Sequence, residues 1–180
     1  EENPDVKHEG DDPIYVIYTS GTTGQPKGVI NLNKGLLNRI RWMQKEYPIG
    51  LGDVILQKTV YTFDVSVWEL FWWSINNQTL HILIPEGHKD PSEIIAGVYK
   101  GKVTHMHFVP SMLNAFLEYL EANKQEISKL KSLKYSCIFS SFCLSTYVFF
   151  FLIVLLKVLF SSLLLLSLLL LSNMTFFLLK

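Results

Sequence analysis

Acidic residues are missing from the last part of this sequence. All 16 Asp and Glu residues lie at or before Glu126, whereas 30 of the 42 residues from 139 to 180 are Phe, Leu or Ser. A folded domain of ordinary size carries charges of both signs over its surface. The chain therefore divides into a part of globular composition and an apolar tail, with a boundary near Ser141.

Cysteine and net charge are also scarce. The two cysteines, Cys137 and Cys143, define neither a disulfide framework nor a zinc site, and a reduced, cytoplasmic setting is the default for the globular part. Lys plus Arg equal Asp plus Glu at 16 each, so charge indicates no nucleic-acid partner. Residues 1–12, EENPDVKHEGDD, lack the basic start and apolar stretch of a signal peptide, and we interpret them as a linker or truncated edge.

Apolar runs of strand length alternate with amphipathic segments of helical period over the first 140 residues. This alternation predicts an α/β domain with a largely parallel sheet, in which the first strand is buried. Ser66 and Glu69 have the S-x-x-E spacing of a capping box, which predicts a helix start there. The predicted strands are 14–18, 29–32, 54–60, 79–84, 103–109 and 133–139, and the predicted helices are 33–45, 67–75, 92–99 and 111–121.

A stretch rich in glycine and hydroxyl residues, YTSGTTGQPKG, occupies residues 18–28. Triphosphate binding needs inward-pointing backbone N–H groups, small side chains, hydroxyl donors and a cation, and this stretch supplies all four. It is not a Walker A loop, because Pro26 precedes Lys27 and Gly28 follows it. A flexible surface turn is the alternative from composition alone. The candidate phosphate-binding residues are Thr19, Ser20, Gly21, Thr22, Thr23, Gly24 and Lys27.

YTSGTTGQPKG resembles the phosphate-loop signature of the adenylate-forming enzymes, the AMP-binding superfamily. That superfamily includes acyl-CoA synthetases, luciferases and the adenylation domains of nonribosomal peptide synthetases. The resemblance implies that the loop holds the β- and γ-phosphates of ATP and the departing pyrophosphate. It also implies a partial large subdomain of the adenylate-forming fold over residues 13–141, followed by an all-apolar, helical tail over 142–180.

Asp64 lies in the stretch TFDVSVWELF, between apolar residues and two positions before the predicted helix cap. A carboxylate there can face a pocket and pair with an ammonium group, or it can cap the helix. FDVSVWE is similar to the motif of peptide-synthetase adenylation domains whose aspartate binds the amino group of the amino acid. Residues 38–59, 85–94 and 107–117 also look like this branch.

The same resemblance implies an amino-acid pocket. Its residues form a string that resembles the pocket associated with serine activation, and a histidine near a hydroxyl suits a small polar substrate. The implied pocket residues are Asp64, Val65, Trp68, His107, Phe139 and Ser141. His105 and His107 share one face of a predicted strand, but no third ligand lies nearby, and we predict no metal site.

The family reaction converts ATP and an amino acid into an aminoacyl-adenylate and pyrophosphate. The acyl group then passes to the phosphopantetheine thiol of a peptidyl carrier domain, so the resemblance implies ATP, Mg²⁺ and phosphopantetheine as cofactors. Positioning and charge stabilisation on the phosphates account for most of the catalysis. Two alternatives stay open: a ligase for another acyl or aryl acid, of acyl-CoA synthetase type, and a non-catalytic, membrane-anchored nucleotide-binding protein.

The family pattern stops after Tyr135. The motifs expected to contact adenine, ribose and the acyl phosphate are missing, so we expect the 180-residue chain to be inactive by itself. Residues 147–171 form a mostly apolar run of 25 residues, long enough to span a bilayer core of about 30 Å. A transmembrane helix, a polypyrimidine tract read out of frame and a buried core helix each explain the tail. We favour the second, and we expect a membrane location only if the first holds.

Overall fold

The computed structural model describes residues 7–21, 24–75 and 77–138, in two compact units that divide between His88 and Lys89. The predicted alternation of strands and helices is confirmed in both units. The first contains strands β1 (Pro13–Thr19), β2 (Lys27–Leu32), β3 (Val54–Gln57) and β4 (Thr79–Ile82) and helices α1 (Asn33–Glu46) and α2 (Ser66–Ile75). The second contains strands β5 (His105–Phe108) and β6 (Tyr135–Ile138), helices α3 (Pro91–Gly101) and α4 (Pro110–Ala122), and the 3₁₀ helix Lys124–Leu130; a 3₁₀ turn, Gly87–Lys89, spans the division.

Strands β1 and β2 form an antiparallel ribbon that carries the glycine-rich loop at its end. The register pairs Val16 with Ile30 and Tyr18 with Gly28. The prediction that the first strand is buried is wrong, because Val16 is 48% exposed and Tyr18 is 70% exposed. An apolar run indicates burial on both faces only where layers cover both faces of a sheet, whereas this ribbon has two strands and one exposed apolar face.

Helix α1 packs one face against the ribbon and against α2. Its buried residues, Leu36, Ile40 and Met43, recur at three- and four-residue spacing, as the amphipathic pattern predicts. Helix α2 connects β3 to β4, and these two strands pair in parallel with Val54 opposite Thr79. This strand–helix–strand unit places the segment between β3 and α2 at the carboxyl end of β3.

The predicted capping box at the start of α2 is wrong. Ser66 is already the first residue of the helix, and its hydroxyl donates to the Phe63 carbonyl at 2.7 Å. The Glu69 carboxylate accepts instead from the backbone N–H groups of Lys58 and Thr59, at 3.2 and 3.0 Å. Strand β3 ends at Gln57 rather than at Val60, because the next two N–H groups bond to this carboxylate.

In the second unit, α3 begins at Pro91 after an Asp90 cap, and β5 pairs in parallel with β6. The Asp90 carboxylate accepts from the Ser92 hydroxyl and from the Ser92 backbone N–H, each at 2.8 Å, and these two bonds lower the pKa of Asp90. The backbone bond confirms the predicted cap. All four residues of β5 are buried. Among the described residues no helix is both long and apolar enough to cross a membrane, and the predicted span 147–171 lies outside them.

Gln44 ties α1 to α2. Its side-chain oxygen accepts from the Trp72 indole N–H at 2.9 Å and from the Ile49 backbone N–H at 3.4 Å. Its amide group donates to the Ile49 carbonyl at 3.0 Å. Trp72 is only 1% exposed, so its indole N–H depends on this partner for hydrogen bonding.

We expect Gln44→Met to lower the free energy of unfolding by about 1–3 kcal/mol, because it leaves the buried Trp72 N–H without this partner at nearly constant side-chain volume. Urea denaturation followed by Trp fluorescence measures the change. The control is Lys45→Met on the neighbouring, exposed position, which should stay within about 0.5 kcal/mol of the parent. Equal losses for the two variants would contradict the role of Gln44.

The buried Lys58 predicts a pH dependence of stability. Burial lowers the pKa of Lys58 below its ordinary value of 10.5, and the nearby Glu69 carboxylate opposes part of that effect. Between the lowered value and 10.5 the unfolded chain binds a proton that the folded chain does not, so the free energy of unfolding should rise with pH in this window. Below the folded-state pKa of Lys58 and above 10.5, the folded and the unfolded chain bind the same number of protons at Lys58. In those ranges Lys58 does not change the free energy of unfolding with pH.

We expect Lys58→Met to remove the rise in the free energy of unfolding with pH that Lys58 causes below pH 10.5. Urea midpoints measured at several pH values below 10.5, for the parent and for Lys58→Met, give the two slopes. Lys45→Met, which removes an exposed lysine, should keep the slope of the parent. Parallel curves for the parent and Lys58→Met would show that Lys58 titrates alike in the folded and unfolded chains.

Candidate functional site

The glycine-rich loop closes at Thr19 and Lys27, which face each other in the last register pair of the β1–β2 ribbon. The Thr19 hydroxyl contacts the Lys27 carbonyl oxygen at 3.5 Å. Thr19, Ser20 and Lys27 are exposed. The ribbon thus presents a cation and two hydroxyls at one end, next to the backbone of the loop.

Gly21 and Gly24 shape the loop in two different ways. The Gly24 N–H donates to the Gly21 carbonyl at 3.0 Å, and Gly24 has a φ of 80°, a conformation that favours glycine. A Cβ added at Gly21 would overlap the carbonyl oxygen of Gln25. Both glycines are therefore required by the backbone. The predicted ligands Thr22 and Thr23 lie outside the described residues.

Asp64 lies in a segment of consecutive turns between β3 and α2. The Phe63 N–H donates to Val60, the Ser66 N–H to Phe63 and the Val67 N–H to Asp64, at 3.0, 3.0 and 3.1 Å. The Asp64 side chain is exposed, and within the described part of the chain its carboxylate accepts no hydrogen bond. The helix-capping alternative is therefore not the role of this carboxylate, which stays open to solvent.

The charge of Asp64 acts on the ribbon of the same unit. Burial raises the pKa of Tyr15 on β1, and the negative charge of Asp64 raises it further. Tyr15 and Ile17 occupy the half-buried face of β1, opposite the exposed face of Val16 and Tyr18. Nothing in the sequence motif indicated this neighbour of Asp64, because the effect depends on how the ribbon packs.

Val65 and Trp68 continue from Asp64 into α2. Val65 is half-buried, whereas Trp68 is 3% exposed and makes an edge-to-face contact with Trp72, with ring centroids 5.7 Å apart. Of this group, Asp64 and Val65 reach the surface, whereas the Trp68 ring is buried against Trp72. The place of Trp68 on the wall of an amino-acid pocket stays a prediction.

His107 lies in the second unit, on β5, and is 1% exposed. On the same strand, His105 Nδ1 lies 2.7 Å from the Thr104 hydroxyl, and the His105 ring stacks on Tyr135 with centroids 5.0 Å apart. The other two predicted pocket residues, Phe139 and Ser141, lie outside the described residues. Over residues 7–21, 24–75 and 77–138, no group of three or more His, Cys, Asp or Glu side chains could hold a metal ion.

The sequence analysis missed Lys58 and gave Glu69 the role of a helix cap. Both residues are buried, at 5% and 0% exposure, and the Lys58 backbone N–H donates to the Glu69 carboxylate at the start of the turn segment before α2. The missed signal is a lysine directly after the apolar strand VILQ, since a buried lysine needs a carboxylate partner and Glu69 follows one short segment later.

Comparisons with known proteins agree with these features. The family model described as AMP-binding enzyme matches residues 1–159. Zwittermicin A synthase ZmaJ of Bacillus cereus is 50% identical over 147 residues, which are 82% of this chain and 28% of ZmaJ. Vanchrobactin synthetase VabF of Vibrio anguillarum is 49% identical over 108 residues, which are 60% of this chain and 4% of VabF. This chain thus spans only a small part of each relative.

Among solved structures, the nonribosomal peptide synthetase FmoA3 in its alpha-methyl-L-serine-AMP bound form has the same fold. The TM-score is 0.62 at 28% sequence identity, over 72% of this chain and 14% of that chain. The match to the family model covers the ribbon with its loop, the Asp64 segment and the described residues of the second unit. The chain belongs to the AMP-binding, adenylate-forming enzyme family, with relatives among the nonribosomal peptide synthetases.

Proposed function

We propose that this chain supplies the triphosphate loop and the amino-acid anchor of an ATP-dependent ligase that forms an aminoacyl-adenylate. The observation that carries the proposal is the open carboxylate of Asp64 in a structured turn segment, in the same unit as the Lys27 loop. Because the chain covers 28% of ZmaJ, we assign the complete reaction to a longer polypeptide and expect this chain to bind without turnover.

The loop and the Asp64 segment each present one charge that is opposite to a charge on a substrate. The exposed Lys27 ammonium and the loop N–H groups suit the β- and γ-phosphates and the departing pyrophosphate. The hydroxyls of Thr19, Ser20, Thr22 and Thr23 add donors. Mg²⁺ would arrive with ATP, because Mg²⁺ is commonly held by substrate phosphates together with few protein ligands.

The open carboxylate of Asp64 suits the ammonium group of an amino acid. In the proposed reaction, the substrate carboxylate attacks the α-phosphorus of ATP, the bond to the β-phosphate oxygen breaks and pyrophosphate leaves. The acyl group then passes to the phosphopantetheine thiol of a peptidyl carrier domain, with release of AMP. The part of this chain is to bind and orient both reactants, which is the main source of rate in such transfers.

We propose L-serine as the amino acid. The string Asp64, Val65, Trp68, His107, Phe139 and Ser141 carries this proposal. It gains support from FmoA3, which binds alpha-methyl-L-serine-AMP and shares 28% identity with this chain.

We expect Gly21→Ala and Lys27→Met each to weaken MgATP binding by about tenfold or more, because one distorts the loop and the other removes its charge. Isothermal titration of MgATP into the purified chain measures the dissociation constants. Gly35→Ala is the control, because a Cβ at that helical position meets no atom within 4 Å. Unchanged binding in both loop variants would contradict the phosphate-binding role.

We expect Asp64→Asn to weaken L-serine binding by about tenfold or more, because it removes the charge that pairs with the ammonium group. NMR shifts of the Val65 and Ser66 amides during an L-serine titration measure the affinity. Asp11→Asn, at an exposed carboxylate that pairs with Lys34, is the control and should bind serine as the parent does. Equal affinity of the parent for serine and for 3-hydroxypropanoate, which lacks the amine, would favour the acyl-acid ligase instead.

A further inference from the structure

Three hydrogen-bond donors from the end of β3 converge on the carboxylate of Glu69. The backbone N–H groups of Lys58 and Thr59 donate to Oε2 at 3.2 and 3.0 Å, and the Thr59 hydroxyl donates to Oε1 at 3.0 Å. Glu69 lies on the first turn of α2, eleven residues after Lys58 in the sequence. Its side chain therefore joins the first residues of the connecting segment to the helix in which that segment ends.

The carboxylate of Glu69 is fully buried, and Lys58 is 5% exposed. A buried carboxylate is retained in a fold only where donors and a compensating charge surround it. Here the donors are the three groups from the end of β3. Burial lowers the pKa of Lys58, and the Glu69 charge opposes only part of that effect, so we attribute the hold on this carboxylate to the three hydrogen bonds. Such a charge-assisted cluster is stronger and more directional than neutral hydrogen bonds.

The cluster closes the segment that carries Asp64. Between Thr59 and α2 the backbone makes the successive turns described above, from Val60 to Phe63, from Phe63 to Ser66 and from Asp64 to Val67. The segment has many exposed side chains, including Tyr61 at 76% and Phe63 at 60%, so side-chain packing does little to fix it. The segment is fixed instead by its backbone turns and by the Glu69 hydrogen bonds, which join its first residues to α2.

We propose that Glu69 is a positioning residue that holds the Asp64 carboxylate in place for the substrate ammonium group. The ligand in this statement rests on the proposed function, whereas the effect of Glu69 on the turn segment does not. Glu69 itself is buried and touches no substrate. It acts through the Lys58 and Thr59 backbone, so its loss should affect the amino-acid site and leave the phosphate loop on the β1–β2 ribbon unchanged.

Three substitutions separate the hydrogen bonds of Glu69 from its charge. Glu69→Ala removes both. Glu69→Gln keeps an oxygen for the two backbone N–H groups, and its amide can donate to the Thr59 hydroxyl, so only the charge is lost. Thr59→Val removes the hydroxyl that donates to Glu69, with little change in side-chain volume. It provides the test of the proposal if Glu69→Ala does not fold. Ser74→Ala, at an exposed serine of the same helix that bonds within α2, is the matched control.

Amide hydrogen exchange on the full 180-residue chain tests the positioning. Glu69→Ala should raise exchange of the Phe63, Ser66 and Val67 amides by about tenfold or more, and Thr59→Val by about threefold. Ser74→Ala should stay near the parent, and Glu69→Gln, which keeps the hydrogen bonds without the charge, should lie between the parent and Glu69→Ala. The proposal is overturned if the Phe63, Ser66 and Val67 amides of Glu69→Ala exchange as slowly as in the parent. It is also overturned if exchange of the Tyr47 amide, at the end of α1, rises by the same factor.

Two titrations on the same variants give the functional outcome. Glu69→Ala should weaken L-serine binding by about tenfold and leave MgATP binding unchanged, and Glu69→Gln should restore most of the serine affinity. A loss of both ligands alike would indicate a general structural role and overturn the proposal. If the parent chain binds no amino acid, the proposed function is contradicted. The hydrogen-exchange rates then still decide whether Glu69 holds the turn segment in place.

Discussion

The hydrogen bonds between the Glu69 carboxylate and the end of β3 are the constraint on which the candidate amino-acid site depends. They stop β3 at Gln57, start the turn segment and fix it to α2. Gln44 bonds to the same helix one turn later, through the indole of Trp72. Helix α2 is thus held at two points by polar groups, so Asp64 can stay exposed without losing its place.

The glycine-rich loop, our proposed phosphate site, takes its shape from different features. It has no buried charge among its described residues, and its shape comes from the ribbon register and from two glycines, one at a φ of 80° and one with no room for a Cβ. Backbone N–H groups in such a loop need a close approach to phosphate, which side chains would block. In the same unit, glycines shape the loop, whereas the buried side chain of Glu69 shapes the segment that carries Asp64.

The sequence predicted the order and type of the elements, because hydrophobic period and turn residues are local signals. It also predicted the Asp90 cap, whose hydrogen bond spans two residues. It failed where the deciding contact is longer in range: Glu69 fits a capping box by spacing, yet its partners are the end of a strand eleven and ten residues away. Burial of β1 failed for the same reason, since an apolar strand does not reveal how many layers cover it. The resemblance to a family identified Asp64, and the structure added that its carboxylate is open.

The two carboxylates of this segment differ in a way that bears on selectivity. Glu69 is buried on folding and already has its hydrogen-bond donors. Asp64 is exposed, so under the proposed function a ligand that covers it must replace its water with an ammonium group. A carboxylic acid of the same shape without the amine would leave a covered carboxylate without a partner, at a cost of about 1–3 kcal/mol or more. Under the proposed function, that difference corresponds to a selectivity of about tenfold or more for an amino acid. It requires Asp64 to be held where the ligand covers it, which is the role we propose for the bonds of Glu69.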